Sequence, residues 1–145
     1  MIKIQNKHLG DVADFLLNTI TAKGKKNIHR MRIVNALKER NKGVGEEELE
    51  LLKEYAKKDE DDNVVQNENG RFVMEDAKEF KKQQDALYEE YFVIDDVNLK
   101  SALRTVEKLV NDYDKELVGK EAEAHFILVE AFEEVEVSKT EEEQA

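Results

Sequence analysis

The sequence predicts an α+β fold that is mostly helical. It calls for about six helices around one core, a short N-terminal strand paired to a strand near Phe92 and Ile94, and a small β-hairpin near Asn69-Gly70. Three observations carry that expectation. Most of the chain repeats its apolar residues at intervals of three and four, the period of a helix that buries one face. Residues 2–4 and 91–94 have instead the β-branched and aromatic character of strands. Proline is absent, so no pyrrolidine ring forces a break, and helix ends fall to Gly, Asn and Asp.

The elements follow in order. Ile2 and Ile4 alternate with polar residues and read as a strand that needs a partner, with residues 92–94 the natural one. Asn6 is the expected cap of a helix over 6–20, with Leu9, Val12, Ala13, Leu16 and Ile20 inside. After a polar break at Gly24, a second helix spans 27–41 on Ile28, Met31, Ile33, Val34 and Leu37, and Gly43 and Gly45 end it. A third spans 46–58, with Glu46, Glu47 and Glu48 at the positive end of its dipole and Lys57 and Lys58 at the negative end. Its buried stripe is Leu49, Leu52, Tyr55 and Ala56.

Residues 59–70 lack a helical period. Val64-Val65-Gln66 and Arg71-Phe72-Val73-Met74 flank Asn67-Glu68-Asn69-Gly70, and Asn-Gly is a strong hairpin signal. Asp76 with Glu79 fits a capping box that opens a fourth helix, to about Glu90, on Phe80, Leu87, Tyr88 and Tyr91. A fifth helix spans 98–113, and a sixth spans 120–135 with Ala122, Phe126, Val129 and Phe132 inside. No internal repeat is apparent. Residues 1–135 are expected to form a single globular domain, and 136–145 an acidic, disordered tail.

Composition excludes several classes of function. The chain has no Cys, which removes disulfides, thiolate metal sites and Cys nucleophiles. No apolar run reaches transmembrane length, and the first residues lack the apolar segment of a signal peptide, so a cytoplasmic protein is expected. His8, His29 and His125 make no metal-binding spacing. Asp59-Glu60-Asp61-Asp62-Asn63 begins like a calcium loop, but Val64 stands where the turn needs Gly, and Gly70 where a bidentate Glu belongs. Phosphate-loop, dinucleotide-binding and nucleophile-elbow motifs are absent. No catalytic residue, metal or cofactor is assigned, and the chain is expected not to be an enzyme.

Charge is the one functional signal. Residues 1–45 carry ten Lys/Arg against three Asp/Glu, while residues 46–145 carry thirteen against thirty-one. The positive excess centres on Lys23, Lys25, Lys26, Arg30, Arg32, Lys38 and Arg40, a candidate interaction patch on the second helix. It would suit a protein partner, or, as the alternative, nucleic acid bound by a regulator through residues 23–42. The acidic segment admits a third reading, a nucleic-acid mimic. The bland explanation is that these cations balance acidic helices of the same fold.

Four stretches in order, IKIQNKHLGDVADFLLN, KGKKNIHRMRIVNAL, EEELELLKEYAKKDEDDNVVQNENGRFVMED and ELVGKEAEAHFILVEAFEE, stand out along the chain up to Glu136. In pattern and order they resemble a family of small uncharacterised proteins encoded by tailed phages and prophages of Gram-positive bacteria. No single motif is specific, and the family offers no catalytic or binding residue to carry over. The resemblance implies a setting, the cytoplasm of an infected or lysogenic bacterium or the virion itself. Taken with the lack of catalytic chemistry, the small size and the basic patch, it leads us to expect a non-enzymatic protein that binds another protein, in virion or tail assembly or by interfering with a host factor.

Overall fold

A computed structural model describes the backbone of residues 1–144 and the side chains of residues 1–135. The expected tail, 136–145, lies outside the residues whose side chains are described. The elements are β1 (Ile2–Gln5), α1 (Leu9–Asn18), α2 (Lys25–Tyr55), α3 (Ala77–Glu89), β2 (Tyr91–Ile94), α4 (Lys100–Asp112) and α5 (Gly119–Gln144). The molecule is mostly helical with a two-stranded antiparallel sheet, but the α-helices number five. The chain forms two compact units, Met1–Asn41 with Tyr91–Ala145, and Lys42–Glu90.

The missing sixth helix is explained by α2. The expected second and third helices are one element of 31 residues, about 46 Å long at 1.5 Å per residue. Gly43 and Gly45 do not end it. A glycine that terminates a helix adopts positive φ, and Gly24, Gly70 and Gly119 are the glycines that do so. Val44, between the other two, is fully buried, and the run from Glu46 to Glu54 is rich in strong helix formers. Two interior glycines cost about 1 kcal/mol each, too little to break a helix anchored on both sides.

In the first unit β1 and β2 pair with Ile2 opposite Ile94, Lys3 opposite Val93, Ile4 opposite Phe92 and Gln5 opposite Tyr91. Ile2, Ile4 and Ile94 point into the core, whereas Lys3, Tyr91 and Val93 meet solvent. α5 packs on α1, α4 and β1. The core gathers Leu9, Val12, Phe15 and Leu16 of α1, Ile33, Val34 and Leu37 of α2, Val106 and Val110 of α4, and Leu128 of α5. Each such side chain contributes about 1.5–3 kcal/mol on leaving water.

Three local expectations are corrected. Asn6 does not cap α1; it is buried in a 3-10 turn, Asn6–His8, that precedes the helix. Ile28 is 52% exposed, and the neighbouring His29 takes the inward position. Phe126 is 60% exposed, while Ala124, Leu128, Ala131 and Phe132 are buried. Apolar residues run almost all round this part of α5, so their spacing admits more than one stripe. Packing against three elements selects the stripe containing the small Ala124 and Ala131.

In the second unit the C-terminal part of α2 and α3 run antiparallel. Glu48 hydrogen-bonds Tyr88 at one end, and at the other the Tyr55 carbonyl accepts from Glu75 N–H (2.9 Å). Asp76 caps α3, its Oδ1 accepting from Glu79 N–H at 3.0 Å. The hairpin expected near Asn69-Gly70 is part of something larger. Lys57 N–H donates to the Val73 carbonyl, Val73 N–H to that of Val65, and Val65 N–H to that of Lys57, at 2.7–3.0 Å. Three one-residue strands thus close a ring, with bridges Ala56–Met74, Lys58–Val64 and Gln66–Phe72 around it.

The members of the ring are eight residues apart, and the two connections are copies of each other. Asp59 Oδ1 accepts from the N–H of Asp61 and Asn63, as Asn67 Oδ1 does from Asn69 and Arg71 (2.9–3.1 Å). The fourth residue of each turn is left-handed, Asp62 at φ 64° and Gly70 at φ 75°. The chain therefore does contain an internal repeat, Asp59–Gln66 and Asn67–Met74, conserved in backbone role more than in residue identity. The calcium-like Asp59 carboxylate already binds its own backbone as an Asx turn.

Candidate interaction surfaces

The seven cations of the expected patch are spread over the turn before α2 and its first sixteen residues. Lys23 precedes Gly24, and Lys25 and Lys26 are exposed in the first turn of α2. Arg32 and Lys38 are exposed too, but six residues along a helix place them about 120° apart. Arg40 is half-buried.

Arg30 has a different role altogether. Its Nη1 donates to the carbonyls of Leu16 (2.7 Å), Leu17 (3.0 Å) and Ile20 (3.0 Å). These lie at the end of α1, where carbonyls lack helical partners and the dipole is negative. Asn27 Oδ1 accepts from Nη2 at 2.6 Å and steadies the guanidinium. Arg30 is thus the clamp that ends α1, and it is unavailable to a ligand.

His29 and His125 are structural as well. His29 Nδ1 lies 2.7 Å from the Thr105 hydroxyl, which donates to the Ser101 carbonyl and so accepts the imidazole N–H. His125 Nε2 donates to the Val110 carbonyl at 2.9 Å, and its ring packs with Phe15 and Tyr113. Among the described residues no group of three His, Asp or Glu is placed to hold a metal ion.

Among the described residues several grooves are lined by charged side chains, and two of them bear on binding. In the first unit Lys26 joins Arg104 and Lys108 of α4 around a groove completed by Thr105, Leu109 and Asp112. Arg104 and Lys108 lie one turn apart on the polar side of α4, far in sequence from the basic run 23–40.

The second groove, of about 330 Å³, lies between α2 and α3 within the second unit. Its floor is Leu51, Ala86 and Leu87. Its rim is Glu47, Glu50 and Glu54 on α2, with Gln83 on α3 and Glu90 at its C-terminal cap. The glutamates at 47, 50 and 54 recur at the spacing of a single helix face, so this signal was present in the sequence. Beside the groove the Tyr88 hydroxyl is pushed up to about 12, chiefly by its hydrogen bond to Glu48, then by burial and by the Glu48 charge.

The charge split of the sequence resolves along these units. Residues 1–41 with 91–145 hold fifteen Lys/Arg and eighteen Asp/Glu, a charge of only −3. Residues 42–90 hold eight against sixteen, a charge of −8. The N-terminal cations are offset within their own unit, and most of the excess acid lies on the unit with the glutamate-rimmed groove. No helix among the described residues is long and apolar enough to cross a membrane. Compared with protein-family models, curated proteins and solved structures, the chain matches none.

Proposed function

We propose that this chain is a non-enzymatic phage or prophage protein that acts by binding another protein, and that the docking site is the groove between α2 and α3. The observation that carries this reading is an apolar floor left open between two helices inside a charged rim. An unfilled apolar groove with a polar border is the usual form of a protein docking site. The phage setting rests on the resemblance of the four sequence stretches. Virion or tail assembly and interference with a host factor both fit such a site.

The test uses the tagged chain expressed in phage-infected bacteria, beside an Ala86→Lys variant. Ala86 is exposed, so the change obstructs the groove without disturbing a core. A partner retained by the parent and lost by the variant supports the reading. Identical sets of retained proteins overturn it.

A second reading, a nucleic-acid-binding regulator, is favoured by the groove of Lys26, Arg104 and Lys108. It shifts the site from the whole of 23–42 to the start of α2 and to α4. Replacing these three by Ala should abolish a low-salt electrophoretic shift, because phosphate binding depends on counterion release from such cations. Absence of any shift with the parent protein rejects this reading.

A further inference from the structure

The occupant of the groove between α2 and α3 can be named by its chemistry. We infer that it is a basic amphipathic helix of another protein, an inference that rests on the docking reading above. Three features point to it. First, two antiparallel helices leave a lengthwise furrow, and a third helix completes the packing at ordinary interaxial spacing. Second, the floor is apolar and short. Glu47 to Glu54 spans seven residues, about 10 Å, or two helical turns. An incoming helix therefore meets Leu51, Ala86 and Leu87 with two apolar side chains one turn apart, the anchors of groove-bound helices.

Third, the rim selects charge. Glu47, Glu50 and Glu54 line one wall and Glu90 stands on the other, in a unit of charge −8. Lys and Arg flanking the apolar anchors lay their methylene stems along the furrow and reach the carboxylates of Glu50, Glu54 and Glu90 with their charged ends. An acidic helix would be rejected by the same glutamates, and a nucleic acid more strongly, since its phosphates would face four carboxylates.

The experiment titrates the full chain, labelled with ¹⁵N, with three synthetic helical peptides. The first places Leu on one face and Lys elsewhere. The second is its scramble, with no apolar face. The third replaces Lys by Glu. The first should shift the amides of Leu51, Ala86 and Leu87 and bind at least about tenfold tighter than the scramble, because composition is equal and only the apolar face differs. A double variant, Glu50→Lys with Glu54→Lys, alters only exposed positions and should leave the circular dichroism spectrum unchanged. It should weaken binding by about tenfold or more, and raised salt should weaken the parent likewise.

Equal affinity for peptide and scramble, shifts confined to other residues, or no binding overturns the inference. So does self-association of the chain that the double variant abolishes, since the occupant would then be a second copy. A groove-dependent partner from infected cells that is neither helical nor basic would overturn the inference while leaving the docking reading intact.

Discussion

At the scale of single residues, Arg30 and Tyr88 carry the clearest consequences. Arg30 is one of seven cations in a basic run, and nothing in its sequence context separates it from Arg32. What distinguishes it is that the end of α1 lies beside it and offers three carbonyls. Hydrogen bonds to charged groups contribute about 1.5–3 kcal/mol, and stranded carbonyls add a penalty, so Arg30→Ala should destabilise the protein by about 3 kcal/mol in urea unfolding. Arg30→Lys should recover only part of this, because an ammonium lacks the planar fork that also reaches Asn27. Arg32→Ala, at an exposed position, should change stability by less than about 0.5 kcal/mol. Tyr88 gives a pH signature. Its folded value, about 12, stands above the ordinary 10, so the folded state holds its proton where the unfolded state has lost it. The stabilisation is whole below pH 10 and is lost as pH rises towards 12. Tyr88→Phe should flatten the alkaline loss of stability over that window, measured by urea unfolding at pH 9, 10 and 11.

At the scale of elements, legibility followed how local the cause was. The strand pair showed in the β-branched and aromatic character of its segments, and the cap of α3 showed in Asp76 and Glu79, because both signals lie within a few residues. The continuity of α2 was hidden. Gly43 and Gly45 are ordinary stop signals, and what overrides them is the burial of Val44. Gly45 tests this directly. A Cβ there would meet nothing within 4 Å, so Gly45→Ala should stabilise the protein by about 0.5–1 kcal/mol. If Gly45 ended a helix in the left-handed conformation, the same change would be destabilising. Gly70, at φ 75°, is that contrasting case, and Gly70→Ala should cost about 1 kcal/mol despite open space around it. The ring of Lys57, Val65 and Val73 was hidden for another reason. The Asn-Gly signal marks one turn, but the matching turn at Asp59 has Asp62 in place of Gly, and the third segment joins the ring from the end of α2. Likewise the glutamates at 47, 50 and 54 were legible as a helix face, while the floor they border required α3 to be in place.

At the scale of the whole molecule, stability is divided as unevenly as charge. Of the buried apolar side chains, those in residues 42–90 are Val44, Ala56 and Leu87, and the remainder belong to the other unit. Residues 42–90 also carry the −8 of unbalanced charge, whose self-repulsion favours expansion. Little apolar burial and many exposed backbone hydrogen bonds mark a segment that opens below the global unfolding free energy. Amide hydrogen exchange should therefore be fast over residues 56–90 and slowest at Leu16, Val106 and Leu128, in the dense core. Added salt should slow exchange in 56–90 more than in the core, because screening acts on exposed like charges. Uniform protection along the chain would show that the two units open together. The uneven division also bears on the groove. A partner that binds only the folded form protects by mass action, so a basic helix seated on Leu51, Ala86 and Leu87 should slow exchange through 56–90 and leave the core rates unchanged. The unit with the fewest buried apolar side chains also holds the glutamate-rimmed groove, and a basic third helix would add apolar contact there and offset its negative charge.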